Sequence, residues 1–108
     1  MSSGISKCKL TVLKRMFNQD LVNKYLEDAY QNLAPCDRFQ DGQEFIIDEN
    51  GLQEPPADFC ASAWADIRKD VLMIAIGGDM PGLKNRGMTL TGCTDWFRPV
   101  IFKVERID

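Results

Sequence analysis

Between residues 6 and 15 the chain reads SKCKLTVLKR, and its side chains alternate. Cys8, Leu10 and Val12 fall on one face, with Lys7, Lys9 and Thr11 on the other, the two-residue period of a half-buried strand. The period then lengthens. In NQDLVNKYLEDAY (18–30), Leu21, Val22, Tyr25, Leu26, Ala29 and Tyr30 recur at helical spacing. Asn18 is positioned as an N-cap and Pro35 bars continuation, so an amphipathic helix with one buried face is expected. GQEFIID (42–48) predicts a second strand and Asn50-Gly51 a tight turn, after which Pro55-Pro56 interrupts the chain. CASAWADIRKDVLMIAIGG (60–78) predicts a longer helix. Its buried stripe is Trp64, Ile67, Val71, Ile74 and Ala75, and its polar side is Ser62, Asp66, Lys69 and Asp70. Gly77-Gly78 supplies a left-handed stop. After the turn-rich DMPGLKNRG, the segments MTLTGCT (88–94) and VIFKVERI (100–107) predict two more strands, with Val100, Phe102 and Val104 sharing a face.

The order β-α-β-α-β-β predicts an α+β fold. Residues 1–108 are expected to form a single compact domain, with a mostly antiparallel sheet of about four strands and two helices on one face. Placing the last strand beside the first would tie both ends of the chain into the sheet. A length of 108 residues suits one core, and 44% hydrophobic with 27% charged residues excludes a disordered composition.

A net charge of -3 argues against a nucleic-acid partner, because phosphate recognition needs clustered Lys and Arg. The nearest cluster, Lys7, Lys9, Lys14 and Arg15, flanks the first strand and reads as a solvated edge. VLMIAIGG is too short for a membrane span, and the N-terminus has no apolar leader core. A cytoplasmic setting is expected, with Cys8, Cys36, Cys60 and Cys93 as reduced thiols. There is no Cys-x-x-Cys pair, and there is no histidine, so Ser-His and Cys-His nucleophiles are excluded. GGDMPG carries no Gly-Lys-Ser/Thr and no dinucleotide spacing, so the sequence names no cofactor.

Three segments, PCDRFQDGQEF, FCASAWADI and CTDWFRPVIFKVERID, together with the strand KLTVLKR, resemble a family of small uncharacterised bacterial and archaeal proteins. That family carries Cys-Pro-x-Phe…Gly-x-Glu-Phe, then Phe-Cys-Pro-x-Ala-Trp, then Cys-Thr-Asp-Gly-x-Arg-Pro-Val-x-Phe-Lys. The resemblance singles out Cys36, Cys60 and Cys93, with Trp64, Asp66, Asp95, Arg98 and Pro99 beside them. It implies no established activity. This chain departs from the pattern at Asp37, Ala61 and Trp96, which stand where the family has proline, proline and glycine.

The residue chemistry offers both a site and a structural reading. Cys60 at a helix N-terminus would be activated by the helix dipole, but it also falls on the buried stripe, where a thiol is inert. Met88 and Leu90 are expected to line the core, putting Cys93 on the opposite face with Thr89 and Thr91 unless a bulge at Gly92 re-aims it. Asp95 and Arg98 are either a capped turn with its ion pair or a fork for a carboxylate or phosphate. The leading expectation is a pocket for a small anionic or aromatic ligand, lined by Cys36, Cys60, Trp64, Cys93, Asp95 and Arg98. Any acid–base work would fall to Asp66, Asp95 or a thiolate. One alternative is a metal or cluster held by Cys36, Cys60 and Cys93; the other is an interaction subunit with Trp96 and Phe97 as anchors on a partner or a second copy.

Overall fold

A computed structural model describes residues 4–48 and 54–107, so the Asn50-Gly51 turn lies outside the described residues. Four strands, β1 (Cys8–Arg15), β2 (Glu44–Ile47), β3 (Met88–Gly92) and β4 (Val100–Arg106), form one antiparallel sheet in the order β2-β1-β4-β3. Two helices, α1 (Gln19–Tyr25) and α2 (Ala61–Ala75), complete the α+β fold expected from the element order. The last strand does lie beside the first, from Cys8 opposite Arg106 to Arg15 opposite Val100. The register with β4 shifts between Val12 and Lys14.

Alternation decides which face is covered. Cys8, Leu10 and Val12 of β1 meet Val100, Phe102 and Val104 of β4, and all six are buried. Over them lies α2 through Ala63, Trp64, Ile67, Val71, Ile74 and Ala75, the predicted stripe with Ala63 added. Full burial of one such aliphatic side chain contributes about 1.5–3 kcal/mol before entropy is counted. Where α2 gives out, aromatic rings take over the core. Phe39 packs edge-on against Phe59 and Phe102, with centroids 4.9 and 5.1 Å apart. Phe59 in turn meets Trp64 at 5.8 Å. The other face of the sheet is open and carries Lys9 between Glu44 and Glu105, each at 3.5 Å.

Two expectations need correction. The first helix is not amphipathic over 18–30. It ends at Tyr25, a 3₁₀ turn follows over Asp28–Tyr30, and Val22 is its one buried residue. Tyr25 and Tyr30 are 65% and 58% exposed. The helix stops because Leu26 turns extended and Gln31 Nε2 reaches back to the carbonyls of Val22 and Leu26, satisfying groups that a continuing helix would have used. The second correction concerns β3, whose faces are inverted. Thr89 is buried while Leu90 is 50% exposed, because register sets Thr89 opposite Val104 and Thr91 opposite Phe102. Thr91 Oγ1 donates to Asp70 Oδ2 at 2.6 Å, so a threonine face can meet the helix. Asp66 and Asp70, on the side of α2 expected to face water, both accept from this strand and its continuation.

Candidate functional site

At the sheet end where α2 begins, two loop segments and the start of that helix converge on a cavity of about 410 Å³. Cys36, Arg38 and Phe39 come from the loop before β2, and Cys60, Ser62, Ala63 and Asp66 from the first turns of α2. Cys93, Thr94, Asp95, Arg98 and Val100 come from the corner joining β3 to β4. Of the residues singled out in sequence, Cys36, Cys60, Cys93, Asp95 and Arg98 are therefore brought together. Trp64 is not. It lies in the core against Phe59, and its indole N–H has no acceptor among the described residues.

Each wall is held by a specific contact. At the end of β1 the Arg15 guanidinium spans the first loop, its Nη1 donating to the Cys36 carbonyl and its Nε to Asp41 Oδ1, both at 3.0 Å. Arg15 is thus part of the site's framework and not merely a solvated edge charge. Cys60 is the N-cap residue of α2, and its side chain makes no cap hydrogen bond. The first N–H groups of α2 are left without a side-chain acceptor at the cavity wall, where they present a partial positive charge.

The corner is pinned from several directions. Thr94 donates twice to Asp66 Oδ2, from its amide at 2.8 Å and its hydroxyl at 2.9 Å, stapling the corner to α2. Asn18 takes the Phe97 carbonyl with its backbone N–H and the Trp96 carbonyl with Nδ2. Its side chain therefore ties the corner down and does not cap α1. Met16 N–H donates to the Pro99 carbonyl. Of the two readings open for Cys93, the bulge at Gly92 is absent, since β3 and β4 stay in register from Met88 to Gly92 and the Cys93 N–H continues the ladder to Val100. Gly92 serves close approach instead: a Cβ there would sit 2.7 Å from the Val100 carbonyl oxygen. Cys93 therefore lies on the Thr89/Thr91 face, packed partly against the core, and its Sγ accepts from the Val100 N–H at 3.3 Å.

Asp95 closes its own turn. Its Oδ1 accepts from the amides of Phe97 and Arg98, and its Oδ2 from Arg98 Nε, each at 3.1 Å. The structural reading of Asp95 thus holds, while Arg98 keeps its terminal guanidinium nitrogens without a partner among the described residues. Arg38, which the sequence did not flag, has no hydrogen bond or ion pair to any described residue. Both carboxylates of the cavity make internal bonds, Asp66 through Oδ2 and Asp95 through both oxygens, whereas Arg38 and the terminal nitrogens of Arg98 make none among the described residues. That asymmetry favours an anion. Cys36, Cys60 and Cys93 are free thiols, half-buried, whereas Cys8 is fully buried in the core. The metal alternative lacks a ligand set: among the described residues no three Cys, Asp or Glu side chains form a group that could hold an ion.

No protein-family model matches the chain, and no curated protein or solved structure matches it either. Among the described residues no helix is long and apolar enough to cross a membrane.

Proposed function

We propose that this protein binds a small anionic molecule, aromatic or aliphatic, in the cavity between the Cys36 loop, the start of α2 and the Cys93–Val100 corner. One observation carries the reading. A cavity of about 410 Å³ is lined by two guanidinium groups with unspent donors while both of its carboxylates are internally bonded. Cavities of roughly 300–1,000 Å³ take small ligands, and planar guanidinium donors suit a carboxylate or phosphate. The membership suggested by the motif resemblance belongs to the same proposal, since the three segments that carry the motifs are the three that line the cavity. So does a reducing, cytoplasmic setting, in which the three thiols stay free to contact the ligand.

Paired alkylating reagents test it. In the native protein, Cys36, Cys60 and Cys93 should react and Cys8 should not. Iodoacetate, an anion, should gain several-fold over neutral iodoacetamide relative to the same comparison in the unfolded chain. If all four thiols resist until unfolding, the cavity is closed and the reading fails. If the three thiols react but show no preference for the anion, the pocket stands and its anion selectivity does not.

A further inference from the structure

A second depression, of about 510 Å³, lies on the far side of the same corner and shares Cys93, Thr94 and Val100 with the cavity as a common wall. Its remaining lining differs in kind. Met16, Leu90, Trp96, Pro99 and Ile101 supply apolar surface, and no carboxylate, lysine or arginine reaches it. Leu90 is 50% and Trp96 66% exposed, so this surface stands in water when nothing covers it. Such patches, when contiguous, mark places where something apolar binds.

From this, and resting on the anion-binding reading above, we infer that the ligand is an amphipathic carboxylate. Its charged head lies between Arg38 and Arg98, and its apolar body crosses the corner at Cys93 and Thr94 to lie in the groove beside Trp96. Charge complementarity confines the head to one side of the wall, because the guanidinium groups line the cavity and not the groove. The two depressions meet at Cys93, Thr94 and Val100, and this adjacency favours one molecule with a polar and an apolar end over a separate partner for each. Trp96, a departure from the resembled pattern, then acquires a role as the surface that the apolar body covers.

Acetate, octanoate and octan-1-ol, titrated against the intact chain and followed by amide and indole NMR signals, test the inference. Octanoate should bind at least about tenfold tighter than acetate and move the Trp96 indole signal, which acetate leaves in place. Leu90→Ser should bring octanoate down towards the acetate affinity. Arg38→Gln, at an exposed side chain whose loss breaks no bond within the described fold, should weaken both carboxylates by a similar factor. Equal binding of acetate and octanoate with a silent Trp96 would leave the anion site intact and overturn this extension. If octan-1-ol binds as tightly as octanoate and Arg38→Gln changes nothing, the groove acts alone and the inference is wrong. If neither carboxylate binds while the thiols remain accessible, both the extension and the anion reading fall. Self-association that buries Trp96 without any ligand would also overturn it, in favour of a second copy of the chain.

Discussion

The two ends of α2 are built on opposite plans. At its C-terminal end Gly77 takes a left-handed turn with φ of 104°, and the Gly77 and Gly78 amides cap the carbonyls of Ile74 and Met73. Arg106 Nη1 then donates to the carbonyls of Ile74 and Gly78, each at 2.7 Å, and Ser6 takes the Ala75 carbonyl. The orphan acceptors expected at a helix terminus are nearly all matched. At the N-terminal end the cap residue is a cysteine that makes no cap bond, beside a cavity with unspent guanidinium donors. One end spends its polar groups on the fold, whereas the other keeps them available. On the proposed reading, stability and binding are separated along a single helix.

Breaking the closed end should therefore cost stability and leave the cavity alone. Arg106→Ala leaves two carbonyls without their charged donor and should lower unfolding free energy by about 3 kcal/mol, measured by denaturant titration. Below the unfolding transition, alkylation rates of Cys36, Cys60 and Cys93 should be unaltered. A change in those rates would mean that the two ends are coupled. The corner lies between these extremes, since it is structural and also lines the site. Gly92→Ala forces a Cβ towards the Val100 carbonyl and should cost about 2 kcal/mol through backbone displacement. Here Cys93 should react faster as well, because the displaced Val100 N–H releases its sulfur.

The core and the glycine stop at the closed end were legible in sequence, whereas the Arg106 and Asp79 contacts there were not, and the open end was legible only in part. β1, β4 and α2 each bury one face against one partner, so period alone names Leu10, Val12, Phe102, Val104, Ile67 and Val71 as core. Period failed on β3 because hydrophobicity favoured Leu90 over Thr89, while the register with β4 and the Asp70 acceptor on α2 decided the face. It failed on α1 because a helical repeat states what a helix would bury, not whether a neighbour lies close enough to bury it. At the site, thiols and the Asp95-Arg98 pair stand out by residue type. Arg15 and Asn18 do not, because their roles arise from groups far away in the chain, Arg15 with Cys36 and Asn18 with Trp96, and Arg38 is marked only by the cavity it lines. Residue type and period place Trp64 in both stripe and pocket, and packing keeps only the stripe.

If the open end is left uncapped because binding uses it, supplying the cap should stabilise the protein and impair the site. Cys60→Ser places a hydroxyl where it can accept from the first N–H groups of α2. The expected gain is about 1 kcal/mol, read as a raised denaturation midpoint. The same variant should bind octanoate more weakly than the parent chain. Stabilisation with unimpaired binding would show that the open helix end takes no part in the site.

The smallest effect expected is a dependence on acid at the closed end alone. Asp79 accepts the Gly87 N–H at 2.5 Å and lies beside Arg106 and Arg86. The Gly87 hydrogen bond, helped by these two guanidinium groups and opposed by partial burial, holds its carboxyl below the usual value of 3.8. A carboxyl with a lowered folded pKa binds protons more tightly in the unfolded chain, so its contribution is fully present above 3.8. That contribution fades as the pH falls from there through the lower, folded value. Asp79→Asn should therefore unfold earlier than the parent at neutral pH, by less than Arg106→Ala, and the gap should narrow as the solution is taken below the ordinary carboxylate range. A gap that stays constant with pH would assign the role of Asp79 to its hydrogen-bonding shape and not to its charge. A gap that widens in acid would reverse the sign of the linkage and remove Asp79 from the groups that hold this end of α2 closed.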